Sequence, residues 1–150
     1  MADPRRTSAR TPRQAAEFGR WPFWRRWFGQ RSEKFAAKYI RKFGYKILAA
    51  NLSDRLGELD LIARDGEVLV VIEVRSKIDP DPQVAANSVD YAKQKRITDA
   101  TLRFLTLHKL LGRTVRFDIL ALGWPANAKE PAVLHIKNAF EATGRFQMFT

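Results

Sequence analysis

The chain has 150 residues, 45% of them hydrophobic, which suits one domain with a two-layer core. It holds no cysteine and two histidines, which excludes a disulfide framework and a thiolate zinc site and leaves any metal mainly to oxygen ligands, which points to Mg²⁺ or Mn²⁺. A formal net charge of +11 points to a polyanionic partner, nucleic acid before an anionic membrane, and no apolar run approaches the roughly 20 residues of a transmembrane helix, so the expectation is a cytoplasmic protein.

The basic excess is uneven: residues 1–30 hold seven arginines against Asp3 and Glu17. Residues 1–20 are rich in Arg, Pro, Ala, Ser and Thr without apolar periodicity, a composition that predicts disorder. Trp21-Pro-Phe-Trp-Arg-Arg-Trp-Phe28 follows, an aromatic cluster interleaved with arginine that could stack on bases, lie at a membrane interface or dock on the domain. Neither a transit peptide nor a twin-arginine signal fits well, because the amphipathic Ser-rich pattern and the apolar h-region are missing. The expected division is a basic tail over 1–31 and a folded domain over 32–150.

Ser32 reads as an N-cap, and Phe35, Ala36, Tyr39, Ile40 and Phe43 recur at helical spacing until Gly44 stops the helix. Residues 45–50 read as a strand. The stretch 57–75 reads as a hairpin of two apolar strands, with Asp65-Gly66 as a type I′ loop. Asp79-Pro-Asp-Pro82 marks a loop over 78–88, and a long helix is expected at about 89–109, with Ile97, Ala100, Leu102, Phe104, Leu105 and Leu107 in its apolar face. Strands follow at 115–122 and, after Trp124-Pro125, at 132–136. The order α-β-β-β-α-β-β predicts an α/β (α+β) fold, a mixed sheet flanked by helices.

Acids interrupt the hairpin where a core strand should be apolar. With Asp65-Gly66 as the loop, Asp60 lies opposite Val71 and Glu58 opposite Glu73. Glu58, Asp60, Glu73 and Arg75 then share one face, and Asp60 and Glu73 are diagonal neighbours with Cα atoms on the order of 7–8 Å apart. Burying such like charges needs a counter-charge. A divalent cation on Asp60 and Glu73 provides one; salt bridges from Arg75 and Lys77, which follow on the same face, are the alternative. With a metal, the site has the parts for phosphodiester hydrolysis: the ion polarises the phosphoryl oxygen and activates water, and a cation two residues beyond Glu73 stabilises the developing charge. Lys93, Lys95 and Arg96 form a basic cluster on the long helix; Lys93 could reach the site or a phosphate, and the simpler reading of all three is a solvated face. Asp118, between Phe117 and Ile119 in a strand, could be a structural partner for an arginine such as Arg116 or Arg75.

Asp60…Glu73-Val-Arg75 after a leading helix resembles the PD-(D/E)XK nuclease signature. Residues 32–122 resemble the YraN family of small bacterial proteins within that superfamily, through Glu33, Gly-Tyr-Lys-Ile-Leu at 44–48, Gly-Glu-Leu-Asp-Leu-Ile-Ala at 57–63, Val-Ile-Glu-Val at 71–74, Lys93-Gln94 and Arg116-Phe-Asp-Ile119. The resemblance implies a restriction-endonuclease-like core acting on DNA, with Asp60 and Glu73 as metal ligands and Glu33 as a further active-site acid. Glu33 is otherwise a helix N-terminal acid favoured by the macrodipole. The signature expects lysine where Arg75 stands. Arginine keeps the charge but is never deprotonated, so Arg75 serves electrostatically, or Lys77 takes the position, or cleavage is weakened to leave a binding protein with a nuclease fold.

Overall fold

The five consecutive apolar residues Val68-Leu-Val-Val-Ile72 leave no polar side for solvent, so a strand built from them must be covered on both faces. A computed structural model describes residues 24–143, with side chains described from residue 31. In it these residues open the central strand of a five-stranded mixed sheet. The strands are β1 (Lys46–Asp54), β2 (Gly57–Asp65), β3 (Val68–Lys77), β4 (Val115–Gly123) and β5 (Ala132–Phe140), in that spatial order. The β1–β2, β2–β3 and β4–β5 pairs are antiparallel, whereas β3 and β4 are parallel. A parallel pair needs a crossover. Helices α2 (Pro82–Ala86) and α3 (Tyr91–Leu107) supply it, and α1 (Trp24–Lys42) precedes the sheet.

The two faces bury separate cores. On one, Ile62, Val71, Phe117 and Ile119 meet Ala85 of α2 and Ile97, Ala100, Phe104 and Leu105 of α3. On the other, Leu61, Val70, Ile72 and Leu120 meet Ala36 and Ile40 of α1. Asp54 fixes α3 over the β1–β2 turn. Its carboxylate accepts the Leu56 and Gly57 N–H groups and a two-pronged hydrogen bond from Arg103 (Nε 2.6 Å, Nη2 3.0 Å). Burial works against this charge, yet those hydrogen bonds hold Asp54 below the ordinary carboxylate range.

The expected order of elements is present, with differences that have local causes. Helix α1 starts at Trp24, so Ser32 is no N-cap. Its buried hydroxyl instead donates to Ser76 Oγ at 2.9 Å and accepts from Trp124 Nε1 at 3.2 Å, linking α1 to β3 and to the segment after β4. Gly44 ends α1 as expected, at φ +88°. The first strand runs on to Asp54. The segment 78–88 contains α2, because Asp81 caps Gln83 N and Pro82 takes the first helical position. The disorder expected of residues 1–20, and the start of the Trp/Arg cluster, lie outside the described residues. Among the described residues no helix is long and apolar enough to cross a membrane.

The hairpin loop is also displaced. Asp65 pairs with Val68, so the loop is Gly66-Glu67 rather than Asp65-Gly66. Gly66 alone takes positive φ (+59°), the pattern of a II′ turn with glycine first, and neither Asp65 nor Glu67 does. The slip moves every cross-strand partner by two residues. Side chains alternate with period two, so their faces are unchanged.

Candidate functional site

The β2–β3 ladder extends to Leu61↔Ile72. Continuing that register by one residue brings Asp60 directly opposite Glu73, rather than diagonal to it. The same register leaves Glu58 two residues out of step with Glu73 rather than opposite it, and on its other side Glu58 pairs with Ser53 of β1. The Val74 N–H, just past the last ladder pair, donates to Asp60 Oδ2 at 2.9 Å. A backbone donor at the end of the ladder thus fixes the first acid's orientation.

Asp60 is 7% exposed and Glu73 3%. Burial, followed by the negative charge of Asp60 and a hydrogen bond with it, pushes the Glu73 carboxyl from 4.5 up to about 8. The lowering influences are Lys93 first and then Arg75. Lys93 Nζ lies 3.3 Å from Glu73 Oε1 and 3.8 Å from Glu58 Oε1. Arg75 is farther, with Nη1 at 3.7 Å, because its Nε donates to Ser88 Oγ at 2.8 Å. Ser88 Oγ donates in turn to the Ala85 carbonyl at 2.6 Å. Of the two salt-bridge partners expected from the strand, Arg75 is thus shared with Ser88 and Lys77 is exposed at the strand end. The nearer counter-charge comes from the helix.

These groups open on a groove of about 1090 Å³. Its lining is Arg31, Ser32 and Glu33 of α1, Glu58 and Asp60 of β2, residues 73–78, and residues 124–128. Glu33, Asp60, Glu73, Arg75 and Lys77, named separately from the sequence, therefore line one cleft. Arg31 closes one corner, its guanidinium 4.1 Å over the Trp124 ring and Nη2 donating to the carbonyls of Ala128 and Lys129. The basic cluster on α3 does not stay together. Lys93 turns to the carboxylates, whereas Lys95 and Arg96 are exposed and Lys95 pairs with Asp99 at 3.1 Å.

The donor set suits a hard cation. Among the described residues no three His, Asp or Glu side chains gather in an arrangement that could hold a metal. Two buried carboxylates on neighbouring strands are nevertheless enough for Mg²⁺, which keeps most of its water.

A second acidic centre lies apart from the groove. Asp118, 0% exposed, accepts from Arg116 Nε (2.8 Å) and Nη2 (3.1 Å) and from the Asn138 N–H (3.0 Å), and pairs with His135 Nε2 (2.8 Å). Burial alone would raise Asp118, but the hydrogen bonds from His135, Arg116 and Asn138 outweigh it and hold the carboxyl low. Arg116 also reaches Asp65 and the Tyr45 hydroxyl. Of the two arginines the sequence offered for Asp118, Arg116 and Arg75, the partner is Arg116, and the sequence missed His135. That histidine could be found only once β5 was known to lie beside β4. With its acceptor positions filled, Asp118 is a structural centre.

The sequence model of the uncharacterised protein family UPF0102 matches residues 32–122, from α1 to β4, and so includes every acid that lines the groove, with Arg75 and Lys77. The chain is similar to a UPF0102 protein of Rhodopirellula baltica, 43% identical over 119 residues, covering 77% of this chain and 71% of that one. It is also similar to UPF0102 proteins of Bordetella avium (40% over 122 residues, 78% and 84% of the two chains) and Geobacter sulfurreducens (37% over 113 residues, 75% and 88%).

Proposed function

The chain belongs to the uncharacterised protein family UPF0102, the YraN family, and we propose that it is a metal-dependent, nuclease-like protein that hydrolyses phosphodiester bonds in DNA. The observation that carries this reading is the Asp60–Glu73 pair, two buried carboxylates held side by side at the end of the β2–β3 ladder and facing a groove. The α-β-β-β-α-β order around it agrees with the restriction-endonuclease-like core of the PD-(D/E)XK resemblance.

A Mg²⁺ or Mn²⁺ ion held by Asp60 and Glu73 would supply Lewis acidity and a water of lowered pKa. The chain's own residues do the positioning. The Val74 N–H fixes the Asp60 carboxylate. Arg75, braced by Ser88, presents a permanent positive charge beside Glu73, where it stabilises negative charge on phosphorus without exchanging a proton. Glu33 of α1 lines the same groove, and Lys77, exposed at the end of β3, would meet the backbone of a nucleic-acid strand entering it. The net charge of +11 draws in the polyanion.

The test is incubation of the full chain with single-stranded, duplex and junction DNA and Mg²⁺ or Mn²⁺. Cleavage that disappears in Asp60→Ala and in Glu73→Ala supports the reading. Arg75 in the lysine position favours a second one, a DNA-binding protein that keeps the nuclease fold. Salt-sensitive binding without cleavage under either metal would replace the first reading with the second.

A further inference from the structure

The signature's lysine is missing from the strand, yet a lysine does reach Glu73. Lys93 comes from α3, and its placement runs against local preference. Asp90 caps α3 by accepting the Lys93 N–H at 2.8 Å, which puts Lys93 in the third helical position. There the capping box favours Glu or Gln, and the positive end of the helix dipole disfavours a cation. Holding the long side chain at 19% exposure also costs rotamer freedom. The compensation is tertiary, from the paired contacts to Glu73 Oε1 (3.3 Å) and Glu58 Oε1 (3.8 Å). Two residues on, Lys95 makes only an exposed pair with Asp99, so the inward turn belongs to Lys93 and is no general habit of the helix.

We propose that Lys93 is the resident cation of the carboxylate site, delivered from α3 in place of the strand lysine, and that a divalent metal must displace its ammonium from Glu73 to bind. Lys93 is thus a positioning residue that sets metal affinity, and the inference rests on the metal reading of Asp60 and Glu73 above. An ammonium within 4 Å of a ligand carboxylate both competes for that oxygen and repels the incoming ion. Removing it makes metal binding tighter, the opposite of what losing a ligand would do.

The experiment counts free Mn²⁺ by electron paramagnetic resonance during titration of the full-length protein, with no DNA present. Lys93→Met should bind Mn²⁺ about ten-fold more tightly than the parent chain, and Lys93→Arg, which keeps the charge, should stay within about three-fold of it. Lys46→Met removes an equal charge from the exposed start of β1 and should leave the affinity within about two-fold. Equal or weaker binding by Lys93→Met overturns the inference. If Asp60→Ala abolishes binding while Lys93→Met changes nothing, the metal site stands and only the role of Lys93 falls. If neither the parent chain nor Lys93→Met binds Mn²⁺, both fall together.

Discussion

Replacing Glu73 by glutamine tests the electrostatics of the site without any assumption about substrate. Glutamine keeps the volume and can donate a hydrogen bond to Asp60, but it carries no charge. In the folded protein the Glu73 carboxyl holds its proton up to about pH 8, whereas the unfolded chain releases it near 4.5. Between those values the native state binds one more proton than the unfolded state. Stability from this group is therefore fully present below pH 4.5 and falls as pH rises, by about 1.4 kcal/mol per pH unit, until the folded carboxyl ionises. The interval caps the loss at about 5 kcal/mol. Water entering from the groove and relaxation around the ionised pair bring the expected value to about 2–4 kcal/mol. Urea denaturation in the presence of chelator, at pH 5, 6.5 and 8.5, should show the parent chain losing that much relative to Glu73→Gln. Titrating groups remote from Glu73 are common to both proteins and cancel in the difference, so the pH dependence that remains belongs to Glu73 and the groups in contact with it. Parallel stability curves for the two chains across this range would refute the reasoning, because they would mean that Glu73 is already ionised and well compensated at pH 5.

Three further outcomes are expected. Arg116→Met leaves the fully buried Asp118 without its two-pronged partner and should cost about 3–5 kcal/mol by urea denaturation, with His135 and the Asn138 N–H unable to compensate. Gly123→Ala would place a Cβ 2.6 Å from the Asp79 carbonyl oxygen and 2.9 Å from Pro82 N, both backbone atoms, and should lower stability by about 1–3 kcal/mol in a thermal melt, loosening the loop that follows β3. DNA binding should weaken linearly in a plot of log K against log salt, and Lys77→Met should reduce that slope by about one if Lys77 contacts a phosphate.

The acidic pair was legible in the chain even though the loop beside it was misassigned. Asp65-Gly66 and Gly66-Glu67 are both acceptable two-residue loops by composition, and local sequence does not choose between them. The observed register pairs Leu61 with Ile72 on the α1 face and Ile62 with Val71 on the α3 face, and a slip of two residues would bury the same faces with different partners. Because the slip is an even number of residues, it left Asp60 and Glu73 on one face and moved them from diagonal to opposite. Ser32 shows the other kind of miss. A serine before an apolar helical pattern looks the same whether it caps the helix or lies within it and bonds across to Ser76.

By itself the sequence determined the elements and their order apart from α2, the burial of β3, the mainly oxygen chemistry open to a metal, and the conflict of acids set in a core strand. These follow from periodicity, composition and charge, which are properties of short stretches of chain. The tertiary structure alone decided which cation answers those acids. Lys93 is twenty residues from Glu73 and comes within 3.3 Å of it because the crossover helix folds back over the sheet, where the Asp54–Arg103 bond holds it. His135 meets Asp118 for the same reason, through the pairing of β4 with β5. Contacts between distant segments depend on how faces pack, and packing is a property of the whole chain.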